Sequence, residues 1–389
     1  MADTGNPQDF SWPLWPLLPL YPYKHRRTLR REIVPDWVWS LEQVQGILYV
    51  VVPIRTIVVR LAEGGLLVYA PVAPTKECLR LLQELVDRYG DVRSIVLPTV
   101  SGLEHKVFVG PFARRFPQAQ VFVAPKQWSF PVNLPLSWLG FPLKRTQVLK
   151  PGENPFGDEF DCAILGPINL RLGWFGEVAL FHRPSRTLLL ADAIVSIPED
   201  PPEIVQLDPF PLLFHAREDS YERRTNTIEN RRRGWQRICL FALYFQPSCL
   251  KLVDRGVGWR EAVKAPDRSS RSYFGWFPFR WQENWPRSFE KLRKQGQIQV
   301  APILQTLILN RDPQEVRAWV DRVSSWPFDR IVPCHFDAPV EATPEQFRQA
   351  FNFLGNPASD SNFPADDLSL LQQIDKRLLQ FRIVPPPQR

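Results

Sequence analysis

The sequence predicts an αββα sandwich, in which two mixed β-sheets pack face to face and helices cover their outer faces. The runs GILYVVVP and IRTIVVRLA indicate the first sheet, and RTQVLK, FDCAILG, INLRLGW, EVALFHR and TLLLADA indicate the second. Segments with helical spacing of apolar residues follow each of these two blocks. Because a sheet must bury its apolar face, two such blocks favour two packed sheets.

The first block alternates strand and helix patterns after its opening strands. The third strand is LLVYAPV, and the helix TKECLRLLQELVDRY follows, with Thr75 as its N-cap and Gly90 as its stop. SIVLPTV is a short buried strand, and HKVFVGPFARRFP is a short helix in which Pro111 is a candidate break. QVFVAP is the next strand.

The second block consists of strands joined by tight turns. GPIN and RPSR are predicted hairpin turns. Further along, NTIENRRRGWQRICLFALYF is predicted to be helical, whereas VAPILQTLIL fits a strand or a buried helix. Asp312 caps the helix DPQEVRAWVDRVSSW, DRIVPCH is the last strand, and Thr343 caps the helix TPEQFRQAFNFLG.

The domain organisation predicted for these 389 residues has three parts. Residues 1–44 form a Pro-rich and then basic arm, and residues 45–355 form the sandwich domain. Residues 356–389 form a polar tail, and a basic, Trp-rich insertion occupies about residues 200–300 of the domain. The 40 prolines indicate long irregular connections, since proline lacks a backbone donor.

The cysteines and the N-terminal segment bear on the expected compartment. The five cysteines are scattered and form no CxxC pair, which disfavours a disulfide framework or a thiolate zinc site and suits a reducing compartment. The apolar run WPLWPLLPLYPY follows acidic residues and precedes basic ones, the reverse of a secretory signal, and is too short to span a bilayer. We therefore expect a cytoplasmic protein, with peripheral membrane association as the alternative.

The positive charge is concentrated in residues 214–300. This segment carries 18 Lys and Arg against 9 Asp and Glu, whereas the whole chain has a net charge of +7. It also contains five tryptophans: Trp235, Trp259, Trp276, Trp281 and Trp285. Such a surface suits an anionic membrane face and, as the less favoured partner, nucleic acid. The alternative interpretation is a solvated helix face with tryptophans in the core.

Three stretches carry a resemblance to a known fold family. They are EHKVFVGPFARRFPQAQVFVAP, HRPSRTLLLADA and IVPCH, and their order resembles the landmarks of the metallo-β-lactamase superfamily. More narrowly, the chain resembles a domain-of-unknown-function family of that fold, found in bacteria and oxygenic phototrophs. The resemblance covers roughly residues 45–355 and implies the αββα fold predicted above.

The resemblance implies a metal site that has lost half of its ligands. Active members carry H-x-H-x-D-H after a buried strand, and His105 matches the last motif position, with Glu104 at the Asp position. Val100 and Gly102 then stand where the first two His belong, and neither side chain binds metal. The later His of the first metal is expected in residues 172–175, which are Leu, Gly, Trp and Phe.

The second half of the implied site is present. Asp192 stands at the position of the bridging Asp, and His335 stands at that of the last His. Together with Glu104 and His105 they form a set of two carboxylates and two imidazoles, which suits one Zn²⁺, Mn²⁺ or Fe²⁺ ion. The alternative is that all four are relics with structural roles, such as helix capping and loop hydrogen bonds.

The remaining His and Cys residues are assigned structural roles. His182 precedes a hairpin turn, and we expect it to hydrogen-bond Ser185 or Thr187. His25 and His215 are expected at the surface. The last cysteine, at position 334, adjoins a candidate ligand, and we expect it to be a small buried apolar residue rather than a nucleophile or ligand.

Three functional classes remain open from the sequence. The chain contains no G-x-G-x-x-G, Walker A, G-x-S-x-G or H-E-x-x-H motif. The favoured prediction is a protein of metallo-hydrolase descent with a degenerate site for at most one metal ion, and no catalytic residue is assigned. The alternatives are a non-catalytic protein that binds a small molecule or another protein, and a membrane or nucleic-acid binder acting through residues 214–300. Enzymatic activity and oligomeric state are left open.

Overall fold

A computed structural model of the chain describes residues 6–129, 133–355 and 363–387. In this part of the chain, one sheet has seven strands, joined in sequence order. Its strands are β1 (Leu29–Val34), β2 (Val38–Ile47), β3 (Val50–Arg60), β4 (Leu66–Tyr69), β5 (Val92–Leu97), β6 (Gln120–Val123) and β7 (Thr146–Val148). The pairs from β1 to β4 are antiparallel, and those from β4 to β7 are parallel.

The second sheet contains five strands within the described residues. They are β8 (Phe160–Asn169), β9 (Trp174–His182), β10 (Thr187–Leu190), β13 (Arg330–Pro333) and β14 (Val340–Glu341), in the spatial order β14-β13-β10-β9-β8. β10 and β13 are parallel neighbours, and the other pairs are antiparallel. Two short strands, β11 (Leu250–Leu252) and β12 (Phe279–Trp281), form a separate hairpin.

The α-helices follow the strands and cover the outer faces of the sheets. They are α1 (Lys76–Tyr89), α2 (Leu103–Arg115), α3 (Glu203–Gln206), α4 (Phe210–Ala216), α5 (Ile228–Tyr244), α6 (Arg255–Lys264), α7 (Trp285–Arg293), α8 (Pro302–Leu307), α9 (Pro313–Val323), α10 (Pro344–Gln349) and α11 (Ser369–Gln380). Thr75, Asp312 and Thr343 accept hydrogen bonds from the first turns of α1, α9 and α10, as the sequence predicted.

Alternating side chains show which layer lies on each side of a strand. In β5, Ile95 and Leu97 pack with the helices α1 and α2, whereas Val96 points into the layer between the two sheets. In β10, Leu189 joins that same middle layer, whereas its neighbours on either side pack with the helices of the second sheet. The helix–sheet–sheet–helix order confirms the predicted αββα sandwich, with two mixed sheets.

Two turns differ from the sequence predictions. GILYVVVP was predicted as one strand, but Leu48 and Tyr49 take positive φ angles of 51° and 61° and make the hairpin turn between β2 and β3. Positive φ at both central residues suits the twist of a two-residue hairpin, although Asn and Gly are the residues that usually adopt it. The predicted GPIN turn lies inside β8 as a bulge, so FDCAILG and the start of INLRLGW form one strand.

The N-terminal segment is part of the sandwich. Strands β1 and β2 belong to the seven-stranded sheet, so the predicted boundary after residue 44 falls within β2. Trp12 packs edge-on against Phe108 of α2, and the buried Arg26 donates to the carbonyl of Val44. Sheet pairing and aromatic burial therefore tie down the segment that composition alone suggested to be an arm.

The C-terminal segment and the basic segment are also docked. α11 lies within the predicted polar tail, where Leu371 is buried and Asp375 pairs with Arg311. Residues 356–362 and 388–389 of that tail lie outside the described residues. The predicted helix of the basic segment is confirmed as α5, and its Trp235 is buried and donates to the carbonyl of Pro198.

Several local predictions have clear outcomes. α2 continues through Pro111, and VAPILQTLIL contains the helix α8. The expectation that His215 lies at the surface was wrong, because it is fully buried and its Nε2 lies 3.0 Å from the carbonyl of Leu48. All five cysteines are free, and no described helix is long and apolar enough to cross a bilayer.

Gly234→Ala should destabilise the protein, although alanine is ordinarily the better helix former. A Cβ at this position in α5 would lie 1.8 Å from the backbone oxygen of Leu212 in α4. The propensity gain of about 1 kcal/mol is outweighed by overpacking, and we expect a net loss of about 1–3 kcal/mol in the free energy of unfolding. Denaturant unfolding measures it, with Gly355→Ala as control, where the nearest atom is 3.5 Å away. A more stable Gly234→Ala protein would contradict this packing.

Candidate metal centre

The candidate site lies where three chain segments meet at one edge of the sandwich. Leu190 of β10 pairs in parallel with Pro333 of β13, so Asp192 and His335 each follow a paired position by two residues. An isolated bridge between Ile54 and His335 joins this edge to the seven-stranded sheet. The third segment is the first turn of α2, which follows β5 and carries Glu104 and His105. Parallel strands thus place residues that are far apart in sequence side by side.

Three of the four predicted ligands converge at this point. One ligand atom each from Glu104, Asp192 and His335 lie within 4.8 Å of one another. Nε2 of His335 is 3.2 Å from Oδ1 of Asp192, and their side chains are 12% and 23% exposed. Solvent therefore reaches the cluster. The fourth predicted ligand, His105, lies beside this group but is not one of the three.

Both imidazoles are oriented by backbone carbonyls. Nδ1 of His335 lies 3.0 Å from the carbonyl oxygen of Pro53, and Nδ1 of His105 lies 3.0 Å from that of Pro71. The centres of the two rings are 6.1 Å apart. An Nδ1–H that donates to a carbonyl fixes the tautomer and directs Nε2 away from the backbone. Nε2 of His105 is buried and has no hydrogen-bond partner among the described residues.

The electrostatics of the cluster follow from burial and mutual charge. Burial and the nearby His335 lower the pKa of His105 to about 4, so this imidazole is neutral. Burial alone would lower the pKa of His335, but the hydrogen bond and charge of Asp192 outweigh it and raise that pKa. Burial alone would raise the pKa of Asp192, but the hydrogen bond and charge of His335 outweigh it and lower that pKa. Burial and the Asp192 charge raise the pKa of Glu104.

Glu177 supports the loop that carries Asp192, and the sequence analysis missed it. Its fully buried carboxylate accepts from the backbone N–H groups of Ala191, Asp192 and Ala193 at 2.6, 2.9 and 2.8 Å. Burial and the Asp192 charge raise the pKa of Glu177 to about 7. A single acid inside the apolar strand WFGEVALFH was the available sequence signal, since an unpaired buried carboxylate is costly.

Lys106 is a second buried charge that the sequence analysis missed. Its ammonium donates to the carbonyl oxygens of Val100 at 2.6 Å and Trp128 at 2.5 Å. Burial lowers the pKa of Lys106 to about 7, and the nearby Glu104 opposes this shift. The side chain therefore links the segment that precedes α2 to the loop after β6.

The two positions at which the resemblance would place the first two motif His have different surroundings. Val100 is buried in the layer between the sheets. A Cβ added at Gly102 would lie 2.3 Å from Oε1 of Glu104, so the Glu104 carboxylate occupies the space next to this glycine. The absence of a side chain at residue 102 thus permits the position that Glu104 adopts.

The other candidates have structural roles. Nδ1 of His182 lies 2.7 Å from Oγ of Ser185, which confirms the predicted contact. Cys334 is fully buried, and burial raises the pKa of its thiol well above the usual value. His25 is exposed, as predicted. Arg55 donates to the carbonyl oxygens of Pro333, the last residue of β13, and of His335 and Phe336, which follow that strand.

Glu177→Gln should weaken the fold by about 1–3 kcal/mol in the free energy of unfolding, because an amide nitrogen then faces a backbone N–H that loses its acceptor. The variant keeps the size and shape of the side chain. Glu63→Gln, at an exposed loop position, is the matched control and should change stability by less than about 0.5 kcal/mol. Denaturant unfolding of both variants tests this, and equal stabilities would show that the Glu177 carboxylate does not hold the Asp192 loop.

Several solved structures have a backbone course similar to that of this chain. The chain aligns over 86% of its length with 63% of the metal-soaked Flv1 flavodiiron core from Synechocystis sp. PCC6803, at 10% identity and a TM-score of 0.42. It aligns over 91% with all of a fragment of a putative diflavin flavoprotein from Nostoc sp. PCC 7120, at 12% identity and a TM-score of 0.40. It aligns over 85% of its length with all of a metallo-β-lactamase from Pontibacter korlensis, at 10% identity and a TM-score of 0.36.

These similarities are too weak to say anything about chemistry, and the two-sheet fold rests on the strand order itself. No curated protein matches this chain. The model of one family does match, over residues 35–353, and its description is Domain of unknown function (DUF4336). Because the match spans most of the chain, the protein belongs to this family.

Proposed function

We propose that Glu104, Asp192 and His335 hold a single divalent metal ion, in a protein of metallo-hydrolase descent. The observation that carries the proposal is the convergence of their ligand atoms to within 4.8 Å of one another. Atoms bound to one zinc ion lie about 2.0–2.2 Å from it, so neighbouring ligand atoms are expected roughly 3–4 Å apart. The 3.2 Å distance between His335 and Asp192 meets this condition.

The chemistry of the donor set supports the same assignment. Two carboxylates and an imidazole suit Zn²⁺, Mn²⁺ or Fe²⁺. Ligating histidines usually donate their other ring nitrogen to a carbonyl or carboxylate, and both His105 and His335 have a prolyl carbonyl in that position. Nε2 of His105 is neutral, buried and unpartnered, which suits a fourth ligand or a contact with a metal-bound water.

The proposal is limited to one ion because the rest of the implied first site is absent. Val100 lies in the core and Gly102 has no side chain. Glu177 already accepts three backbone hydrogen bonds, and Lys106 already donates to two carbonyls. Neither of these two charged groups is therefore available as a ligand without breaking the supports of the site.

Bound here, an ion would supply a nucleophile, since it lowers the pKa of its water toward neutrality. The chain's own contribution is to keep the site partly open to solvent, with His335 12% exposed. The neutral His105 is placed to accept a hydrogen bond at Nε2. A small ester, amide or phosphoester substrate fits this chemistry. Because all five cysteines are free, the proposal includes a reducing, cytoplasmic location.

The second candidate is a non-catalytic binding protein, and one observation favours it. Nε2 of His335 lies 3.2 Å from Oδ1 of Asp192, so a protonated imidazole would pair with this carboxylate. Such a pair would leave neither charge uncompensated, and removing one partner would destabilise the edge of the sandwich. In that case Glu104 is held near the pair only by its place in the first turn of α2, and the protein acts by binding a small molecule or a protein partner.

Metal analysis of the purified full-length chain separates the two candidates. We expect about one equivalent of Zn²⁺, Mn²⁺ or Fe²⁺ after loading and dialysis. Asp192→Ala and His335→Ala, which each remove a ligand, should lower the affinity at least about 100-fold. His25→Ala, at an exposed position outside the site, is the matched control. No metal under any loading condition, or equal losses in the control, would exclude the metal centre.

Gly102→Ala should lower metal affinity although it replaces none of the proposed ligands. Its methyl group would lie 2.3 Å from the present position of the Glu104 carboxylate oxygen, so the carboxylate must move. Misplacing such a group typically costs about 10–100-fold in affinity. Stability should change little, because the displaced atom is the end of a flexible side chain. Ser101→Ala in the same segment is the control. Unchanged affinity in Gly102→Ala would show that Glu104 is not a ligand.

A further inference from the structure

The outer face of α6 exposes large apolar side chains that no other part of the described chain covers. Trp259 and Val263 are 68% and 55% exposed, and they are neighbours one turn apart on the helix. The opposite face of α6 is the packed one. Gly258 lies against the ring of Trp276, and Ala262 is buried. The exposed residues are thus the outward face of a docked helix, not the end of a frayed one.

A second exposed aromatic residue stands beside this helix. Phe274 is 69% exposed and, like the preceding Tyr273, has a positive φ angle. The next residue, Gly275, packs so closely on α6 that a Cβ would lie 2.6 Å from the carbonyl of Ala262. A left-handed conformation is unfavourable for an aromatic residue. The fold therefore holds Phe274 outward next to the helix rather than burying it.

Cations flank the apolar stripe on both sides. With about 100° between successive helix residues, Arg255 lies on one side of the stripe formed by Trp259 and Val263, and Arg260 and Lys264 lie on the other. All three cations are exposed, and no acidic side chain pairs with them in the described part of the chain.

The acids of this region are already engaged elsewhere. Asp254 accepts from the backbone N–H groups of the first turn of α6. Glu261 pairs with Arg280, and Asp267 accepts from Ser272 and Ser269. Asp254 and Asp267 keep their negative charge, but Glu261 is paired, and the exposed cations Arg255, Arg260, Lys264 and Arg268 outnumber them. The field outside α6 is therefore positive next to an exposed apolar stripe.

We propose that this α6 surface, made of Trp259, Val263, Phe274, Arg255, Arg260 and Lys264, binds the face of an anionic lipid bilayer. Tryptophan favours the interfacial region, where its ring meets the headgroups and its N–H stays hydrated. Lys and Arg beside it meet the lipid phosphates and acidic headgroups. A protein groove would need apolar anchors over more than two turns, and α6 offers two apolar positions on its outer face. The proposal does not depend on the metal centre.

Sedimentation of the full-length chain with vesicles tests the proposal. We expect binding to phosphatidylcholine vesicles that contain about 30% phosphatidylglycerol, weak binding to pure phosphatidylcholine, and a decrease with salt. Arg260→Gln with Lys264→Gln should lower the partition constant about 30-fold, and Trp259→Ala about 10-fold.

Matched variants control for charge and for tryptophan content. Lys76→Gln with Lys376→Gln removes two exposed charges elsewhere, and Trp138→Ala removes a tryptophan that is 77% exposed outside the insertion. Both should bind like the unmodified chain. The proposal is overturned if the controls lose as much binding as the α6 variants, if no vesicle binds, or if single-stranded RNA or duplex DNA binds in place of anionic vesicles.

Discussion

The parallel pairing of β10 with β13 is the constraint on which the candidate site depends. It aligns Leu190 with Pro333, so the two chains leave the sheet together and deliver Asp192 and His335 to the same place. Glu177 on the neighbouring strand then fixes the loop after β10 through three backbone hydrogen bonds. The buried carboxylate loses its hydration, but it accepts hydrogen bonds from three consecutive N–H groups and so stabilises the loop. Without it, these N–H groups would have no acceptor and the loop that carries Asp192 would lose its support. The cluster is thus a product of strand order rather than of local sequence.

The positions at which the superfamily resemblance would place further metal ligands are occupied by packed and hydrogen-bonded structure. Val100 joins the layer between the sheets, and Gly102 leaves the space that the Glu104 carboxylate fills. Nζ of Lys106 donates to the carbonyl of Val100, so this amine anchors the same segment that carries the acid at residue 104. Among the described residues, Nε2 of His105 is a buried atom beside the cluster that has no hydrogen-bond partner.

The sequence predicted the sandwich because hydrophobic period and turn chemistry are local signals that the strand and helix segments of this chain carry. The β9–β10 hairpin, the helix α5 and the caps at Thr75, Asp312 and Thr343 follow from them. The turn at residues 48–49 could not be predicted, because it places apolar residues in a conformation that is usually left to Asn and Gly. The docking of the N-terminal segment and of α11 also depends on long-range contacts that composition does not show.

The family resemblance predicted which positions of the sequence carry the candidate ligands, but not how their side chains are arranged. Whether Glu104 reaches Asp192 depends on how its side chain bends in the first turn of α2, which is decided by the empty space at residue 102. The resemblance places His105 among the ligands because it matches the last motif position. Successive helix residues point about 100° apart, however, and of Glu104 and His105 only Glu104 joins the cluster of three. A metal ion at this cluster competes with the His335–Asp192 ion pair, because the imidazole must give up its proton to become a ligand. Metal binding must therefore compensate for the loss of this ion pair. A neutral histidine such as His105, which has no such pair to lose, would bind a metal without this cost.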